Sequence, residues 1–490
     1  MNKKTILDRV FQQKVTLLFV LLCLGGILAS GQPVTFVAGE LFTRAARNSF
    51  LVLSLIIPVV TGMGLNFGIV IGAMAAQVAL FLTTCWGFGG IGGFLLTALL
   101  TTPLAALLGW LVGKLFNRIK GSEMIGGLVL GYFADGFYQL LFLFVFGGVI
   151  PMGGPNAGRL LLSTGVGVKN TIDLTGTVKY ALDTVPMLAI AEAAFYLTAA
   201  GAALSAILKL WKRQPVDWKK TGAVLAGAAA LYALTFLPAA ERFLRADRLL
   251  LLWAVEGAVL TVLLWQGGGL AWRRLVRKEP AGWRRPLALC AAALAVYAAT
   301  YLPAVYEVLV HVRLPVMTWL CIGALCLFNR ALMNTRLGQN MRTVGRSRVA
   351  AGAAGLDVDR IRVTAMVIST VLAGWGQLIF LQNVGTFSPY GAHTQVGQFA
   401  IAALLVGGAS VRRAASGQAI LGVLLFHTLF IVAPLAGREL FGNAMIGEYF
   451  RVFVSFGVIA LALAMHAWEK RPRPGAEGEE TPAREGEAPA

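Results

Sequence analysis

Four ionisable residues stand inside long apolar runs: Asp135 (within YFADGFY), Glu192, Glu256 and His427. A charge in hydrocarbon is costly, so each is a candidate for function, and carboxylates with a histidine in such runs are what a proton relay is built from. Three have plainer accounts. Glu192 and Glu256 suit an interfacial position or a pairing with a basic residue, and His427 suits a satisfied core histidine; Asp135 has no such alternative. Enzyme motifs are missing. There is no H-E-x-x-H, no local Ser, His and Asp set, and no phosphate loop, because Gly109 to Gly113 with Lys114 has the wrong spacing and continues into Leu115. The remaining histidines, His311, His393 and His466, are far apart, with His311 and His393 falling in outer loops. Cys23, Cys85, Cys290, Cys321 and Cys326 stand singly, without the spacing of zinc ligands, and read as packing residues.

The elements that must hold these residues are membrane spans. Of 490 residues, 57% are hydrophobic and 13% charged, against about a quarter charged in an ordinary soluble domain. Apolar runs of about 20 residues recur, the length at which a helix rising 1.5 Å per residue crosses a ~30 Å hydrocarbon core. They fall at Val15 to Leu28, Ser49 to Gly62, Asn66 to Cys85, Ile91 to Leu115 and Met124 to Val149. After a Gly-, Pro-, Asn- and Thr-rich loop come Thr184 to Leu208, Gly222 to Pro238, Leu249 to Trp265, Pro286 to Val308 and Leu314 to Leu332. Val363 to Leu381, Val396 to Ser410, Ala414 to Leu435 and Met445 to Trp468 complete an all-α polytopic membrane protein of about 14 transmembrane helices. The first run follows Lys3, Lys4, Arg9 and Lys14 but lacks a small-residue cleavage site, so it reads as a retained span rather than a signal peptide.

Charge sets the topology. Threading these spans from a cytoplasmic N-terminus places 31 of the 42 Lys and Arg on the cytoplasmic side, together with the C-terminus, as the positive-inside rule requires. The net charge of +19 is therefore largely topological, and no basic module with base-stacking aromatics points to nucleic acid. The Pro-, Gly- and Glu-rich residues 471–490 have almost nothing to bury and read as a disordered cytoplasmic tail.

One polar stretch interrupts the spans. Residues 334–362 contain TRLGQNMRTVG (Thr335 to Gly345) and RSRVAAGAAGLDVDRIRV (to Val363), alternating small and charged residues that suit a short helix, a turn and a second short helix outside the bilayer. Such a segment serves a partner, or is a basic connector lying on the lipid surface.

The order Thr-Arg-Leu-Gly, a basic residue, Val-Gly, a pair of alanines and Gly-Leu-Asp-Val resembles the coupling segment of ABC-importer permeases of the ribose, nucleoside and branched-chain amino acid type. GLNFGIVIGA (Gly64 to Ala73) is similar to that family's glycine-rich broken span, and AIAALLVGGAS (Ala400 to Ser410) to its Gly-Gly-Ala-Ser segment. The likeness covers residues 1–150 and Leu314 to the last span. It departs at Asn66 and Phe67, at Arg346, Ser347 and Arg348, and at Val411, Arg412 and Arg413.

The resemblance implies a permease core in two halves, residues 1–150 and 312–470, with a loop at 151–183 and a four-span addition at 184–311 that has no counterpart in the pattern. An even insertion leaves the orientation unchanged. It implies coupling to an ATPase through Arg336, Leu337, Gly338, Arg342, Gly345, Ala351, Gly355 and Asp357, with a translocation path near Gly64, Asn66, Gly68, Gln77, Gln377, Gly407, Gly408 and Ser410. The expected partners are ABC ATPase subunits, a second or related permease, an extracytoplasmic substrate-binding protein and membrane lipid. The chain itself is expected to be no enzyme and to carry no cofactor, ATP and Mg being bound by the ATPase. The setting implied is the bacterial plasma membrane, and the solute a simple sugar, a nucleoside or a branched-chain amino acid. A proton-coupled secondary transporter built on Asp135 is the alternative.

Overall fold

A computed structural model describes residues 14–211, 215, 217–237, 244–272 and 282–469. Lys3, Lys4 and Arg9 and the tail of residues 471–490 lie outside them. The chain is helical almost throughout. Its first half comprises α1 (Lys14–Ala29), α2 (Val34–Ser54), α3 (Ile56–Val60), α4 (Ile69–Cys85), α5 (Gly90–Arg118) and α6 (Glu123–Leu140), the last continuing as a wider π-helical turn over Leu141–Val149. After β1 (Ile172–Asp173) come α7 (Met187–Trp211), α8 (Trp218–Ala233), β2 (Arg248–Leu250), α9 (Leu251–Val262), α10 (Arg284–Ala299), α11 (Pro303–His311) and β3 (Arg313–Pro315). The second half is α12 (Val316–Asn334), α13 (Arg336–Arg346), α14 (Arg348–Ala353), α15 (Val358–Val384), β4 (Thr386–Phe387), α16 (Ala392–Val406), α17 (Ser416–Phe441) and α18 (Ala444–Glu469).

Eight helices among the described residues are long and apolar enough to cross a membrane, or nine if α10 and α11, bent by 87°, form one span. Four further apolar helices, including α4 and α16, are shorter. One expected boundary moves: the second span begins at Val34, not near Ser49. The polar TRAARNS stretch is absorbed into the helix because Glu40 and Arg44 pair one turn apart at 3.5 Å and the Asn48 amide donates to the Arg44 carbonyl.

α15 is the central post, packed by α2, α4 and α5. Small residues allow this. A methyl group added at Gly109 would lie 2.9 Å from Thr370 Cβ, and at Gly113 2.9 Å from Val363 Cα, so α5 meets α15 nearly backbone to backbone. Lipid offers no hydrogen bonds, and the buried hydroxyls satisfy themselves: Ser49, Thr97, Thr101 and Thr370 each donate to the carbonyl four residues earlier.

The helices α7 to α11, between β1 and β3, are peripheral. α7 buries Ala206 alone, pairs with α8 through stacked Phe195 and Tyr232 rings at 4.8 Å, and the group joins the core where Leu309, Val312 and Leu314 pack with Phe42 and Trp319. Glu192 and Glu256 form no ion pair with a basic residue among the described residues, which removes the pairing expected for them.

At the end of the bundle opposite α13 and α14, residues 151–183 fold back on the core. β1 pairs antiparallel with β4, and Asp183 is buried where Thr318 Oγ1 (2.5 Å), Gln382 Nε2 (3.1 Å) and Asn383 Nδ2 (2.6 Å) all donate to its carboxylate. Asp183→Leu should lower the unfolding temperature in detergent, since each donor left without an acceptor costs about 1–3 kcal/mol; an unchanged melting curve would show that the clasp adds no stability.

Candidate translocation cavity and coupling segment

Residues 335–357 form two short helices held by side-chain caps. Thr335 Oγ1 accepts from Gly338 N (3.2 Å), Ser347 Oγ from Ala350 N (3.2 Å) and Asp357 Oδ1 from Arg360 N (2.9 Å), so each helix start has its cap and the chain turns between them without a long linker. Gly338 lies against the Leu332 carbonyl in the tight turn from α12. Met341, Val344 and Ala351 face inward, while Arg336, Arg342, Gly355 and Asp357 are exposed and Leu337 is half-buried.

The inner face of α13 rests on the broken first-half span. Between α3 and α4 the chain leaves the helix at residues 61–68, where Gly62 (φ +78°) and Gly64 (φ +75°) adopt a conformation that side chains disfavour. Gly345 packs directly on this turn, its Cα position facing the Val60 carbonyl and the Gly62 backbone with no room for a Cβ.

A second contact is ionic. Glu123, at the start of α6, accepts at Oε1 from Arg362 Nη2 (2.5 Å) and Arg348 Nη1 (3.2 Å), and at Oε2 from Gly121 N (2.8 Å). Arg362 is 1% exposed and also donates to the Phe116 carbonyl at 3.3 Å. Beside it Lys120 Nζ lies 2.6 Å from Asp359 Oδ1. One carboxylate therefore ties α14, the base of α15 and the start of α6 together.

These elements frame a cavity of about 880 Å³ open toward their end of the bundle, lined by Gly62, Gly64 and Phe67, by Glu123, Met124, Leu128 and Tyr132, and by Val344, Gly345, Arg346 and Arg348. Gln398, Val411, Arg412, Arg413, Phe456 and Ile459 complete the wall. Beside it, sharing Phe67, Leu128, Tyr132 and Gln398, is a throat of about 20 Å³ that also touches Val70, Ile401 and Asp135.

Behind the throat lies a buried polar cluster. Asp135 Oδ1 is 2.7 Å from His393 Nε2, His393 Nδ1 is 3.1 Å from Gln77 Oε1, and Tyr138 donates to Gln77 Oε1 at 2.6 Å. Gln139 Nε2 donates to the other Asp135 oxygen at 3.1 Å. With Nδ1–H given to Gln77, a single proton is held between Nε2 and Asp135, either as an imidazolium facing a carboxylate or as a neutral ring facing a carboxylic acid. Beyond it the rings of Tyr138, Phe142 and Phe146 meet in sequence, the first pair tilted and the second edge to face, with centroids 4.6 and 5.1 Å apart.

A profile of the family described as "branched-chain amino acid transport system / permease component" matches residues 185–463, more than half of the chain. The chain belongs to this permease family. The match runs through the helices of residues 184–311 as well as the second half. No curated protein and no solved structure matches the chain.

In this permease the sequence-derived path residues scatter. Gly64 lines the cavity and Gln77 sits behind the throat. Asn66 and Gln377 are buried with side-chain amides that have no partner among the described residues, and neither lines the cavity. Gly68 packs near Val112 and Phe116, and Gly407 fits against the Gln418 carbonyl of α17. Gly408 takes φ +84° beside Thr16, and Ser410 caps the turn that presents Arg412 and Arg413 to the cavity. His393 is corrected from an outer loop to a fully buried position on the first turn of α16, where Asp135 and Gln77 draw it in. His427 is corrected too: it is buried, but its Nδ1 finds no partner among the described residues.

Glu123 and Arg362 escaped the sequence reading because each stands at the edge of an apolar run, where a charge looks interfacial. A lone acid opening one run and a lone base opening another were the available signal.

Proposed function

We propose that this chain is the transmembrane subunit of an ATP-driven importer, with the end bearing α13 and α14 in the cytoplasm, both termini on that side, and 14 spans of which four are a peripheral addition. The setting is the bacterial plasma membrane. Partner ATPases grip α13 and α14, a second copy or a related permease completes the path, and an extracytoplasmic binding protein delivers a small polar solute such as a sugar, nucleoside or branched-chain amino acid. The observation that carries this reading is the seat of Gly345 on the Gly62 turn. The helix that would meet an ATPase touches the backbone that walls the cavity, so displacing one moves the other, in the manner of hinge and shear transitions. The cavity borders the segment that would meet the ATPase, an arrangement suited to release on that side.

Reconstitution tests it. Uptake of the solute carried by the cognate binding protein should require ATP, the ATPase and this chain together; uptake by the chain alone would overturn it. The Asp135–His393 contact favours a second reading, a proton-coupled carrier, which predicts uptake that an uncoupler abolishes and ATP does not affect.

Asp135 serves both readings differently. In the importer Asp135 holds His393 at the throat, and Asp135→Asn loses that contact, a hydrogen bond worth about 1.5 kcal/mol, so the uptake rate should fall about 10-fold while assembly with the ATPase persists. Wild-type uptake by the variant would remove Asp135 from the path.

A further inference from the structure

Away from the cavity, three helices bring positive charge together. α2 carries Arg44 and Arg47, α17 carries His427 and α18 carries Arg451. Val37 of α2 packs on Ile431 and Val432 of α17, which places Arg44, two turns further along antiparallel α2, near the level of His427. On the other side Gly437 of α17 meets the backbone of Gly447, and one turn on Arg451 lies with its guanidinium 4.4 Å from the Phe430 ring centre while Nη1 donates to the Phe430 carbonyl at 3.2 Å. The His427 ring is 6.0 Å from the same Phe430 ring and within electrostatic reach of Arg44, Arg47 and Arg451.

Compensation is incomplete. Glu40 pairs with Arg44 and Glu448 with Arg451, but no carboxylate pairs with Arg47 among the described residues; its guanidinium lies 5.8 Å from the Phe380 ring. Arg47 Nε, Arg451 Nε and His427 Nδ1 are buried without partners. Arg44 stands ten residues into α2, about 15 Å along the axis at 1.5 Å per residue. Guanidinium groups held there require an acceptor with several oxygens, and phosphate matches their fork of donors. The side chains of Arg44 and Arg451 are 27% and 22% exposed, so the site is reachable from the outer face of the bundle.

We propose that Arg44, Arg47, His427 and Arg451 form a binding site for a phosphate-bearing anion between α2, α17 and α18, in the half of the membrane away from the coupling segment. The phosphate comes either from an anionic lipid headgroup or from free phosphate. Bound there, it neutralises Arg47 and joins α18 to α2.

The test uses the full chain in nanodiscs of equal phosphatidylglycerol and phosphatidylcholine, followed by release and native mass spectrometry, and in parallel melting in neutral detergent with and without inorganic phosphate. Retention of phosphatidylglycerol over phosphatidylcholine by about 10-fold, the size of one charge-assisted hydrogen bond, supports the site with lipid as the source. A phosphate-dependent rise in melting temperature without lipid preference supports it with free phosphate as the source. In either case Arg47→Gln and Arg451→Gln should abolish the effect and Arg47→Lys should retain most of it; if the Gln variants fail to express, His427→Phe carries the comparison. Equal retention of the two lipids together with no response to phosphate overturns the proposal, as does an effect that all these variants leave unchanged.

Discussion

Gly345→Ala should uncouple this permease if it is the importer subunit proposed: ATP-dependent uptake then falls at least 10-fold while the chain still inserts in the membrane. The physical basis is steric. Even one Cβ at residue 345 would fall on the Val60 carbonyl and crowd the Gly62 amide, and neither can yield as a flexible side chain would, because both belong to the backbone of the broken span. Overpacking of this kind costs about 1–3 kcal/mol, enough to lift α13 from its seat but less than a polytopic bundle needs to unfold. The measurements are uptake and ATP hydrolysis by the reconstituted complex beside the melting temperature of the variant. Hydrolysis that continues while uptake is lost marks uncoupling. Unchanged uptake would mean that the contact with the Gly62 turn transmits nothing. The same substitution at Gly201 of peripheral α7, which has open space around it, serves as the control with no expected effect.

Glu123→Gln should have the largest effect on stability. It removes the charge that holds Arg362, a guanidinium 1% exposed inside the helix bundle, and leaves two of its nitrogens, already without partners among the described residues, beside a neutral amide. Breaking one side of a buried ion pair costs about 3–5 kcal/mol, because the remaining charge is stranded rather than merely unpaired. A marked fall in melting temperature is expected, together with weaker co-purification of the ATPase, since Arg348 of α14 is released at the same time. Replacing both partners, Glu123→Met with Arg362→Met, should recover much of the stability but not the seat of α14. If the single substitution melts like the wild type, the Glu123–Arg362 contact contributes little. Stability regained with uptake still impaired would separate the holding role of the pair from its positioning role.

Much of the architecture could be read from the chain. Apolar runs of bilayer length announce spans wherever they are uninterrupted, as at α5, α6, α12, α15 and α17. Reading failed at α2, where Arg44, Arg47 and Asn48 resemble a loop until the helix pairs Arg44 with Glu40 and gives Asn48 a carbonyl to bond. The capped short helices of residues 335–357 were legible for a local reason: Thr335, Ser347 and Asp357 each bond a backbone amide three residues ahead. Gly64 could be placed near a break because two glycines flank a turn that needs positive φ. Gln377 could not be placed, since its position on the buried or the lined face of α15 depends on which neighbours surround that helix.

By itself the sequence determined the polytopic helical class, the long uninterrupted spans, the family likeness and the presence of a polar segment of short helices, because each of these depends on length, periodicity or short-range hydrogen bonding. The tertiary structure alone decided what meets what. Glu123 and Arg362 are 239 residues apart and Asp135 and His393 are 258 apart, and no local pattern encodes that the first pair meets at the edge of the cavity and the second beside its throat. Both contacts exist because helices remote in the chain pack closely enough for distant polar groups to find one another in a medium that offers them no water.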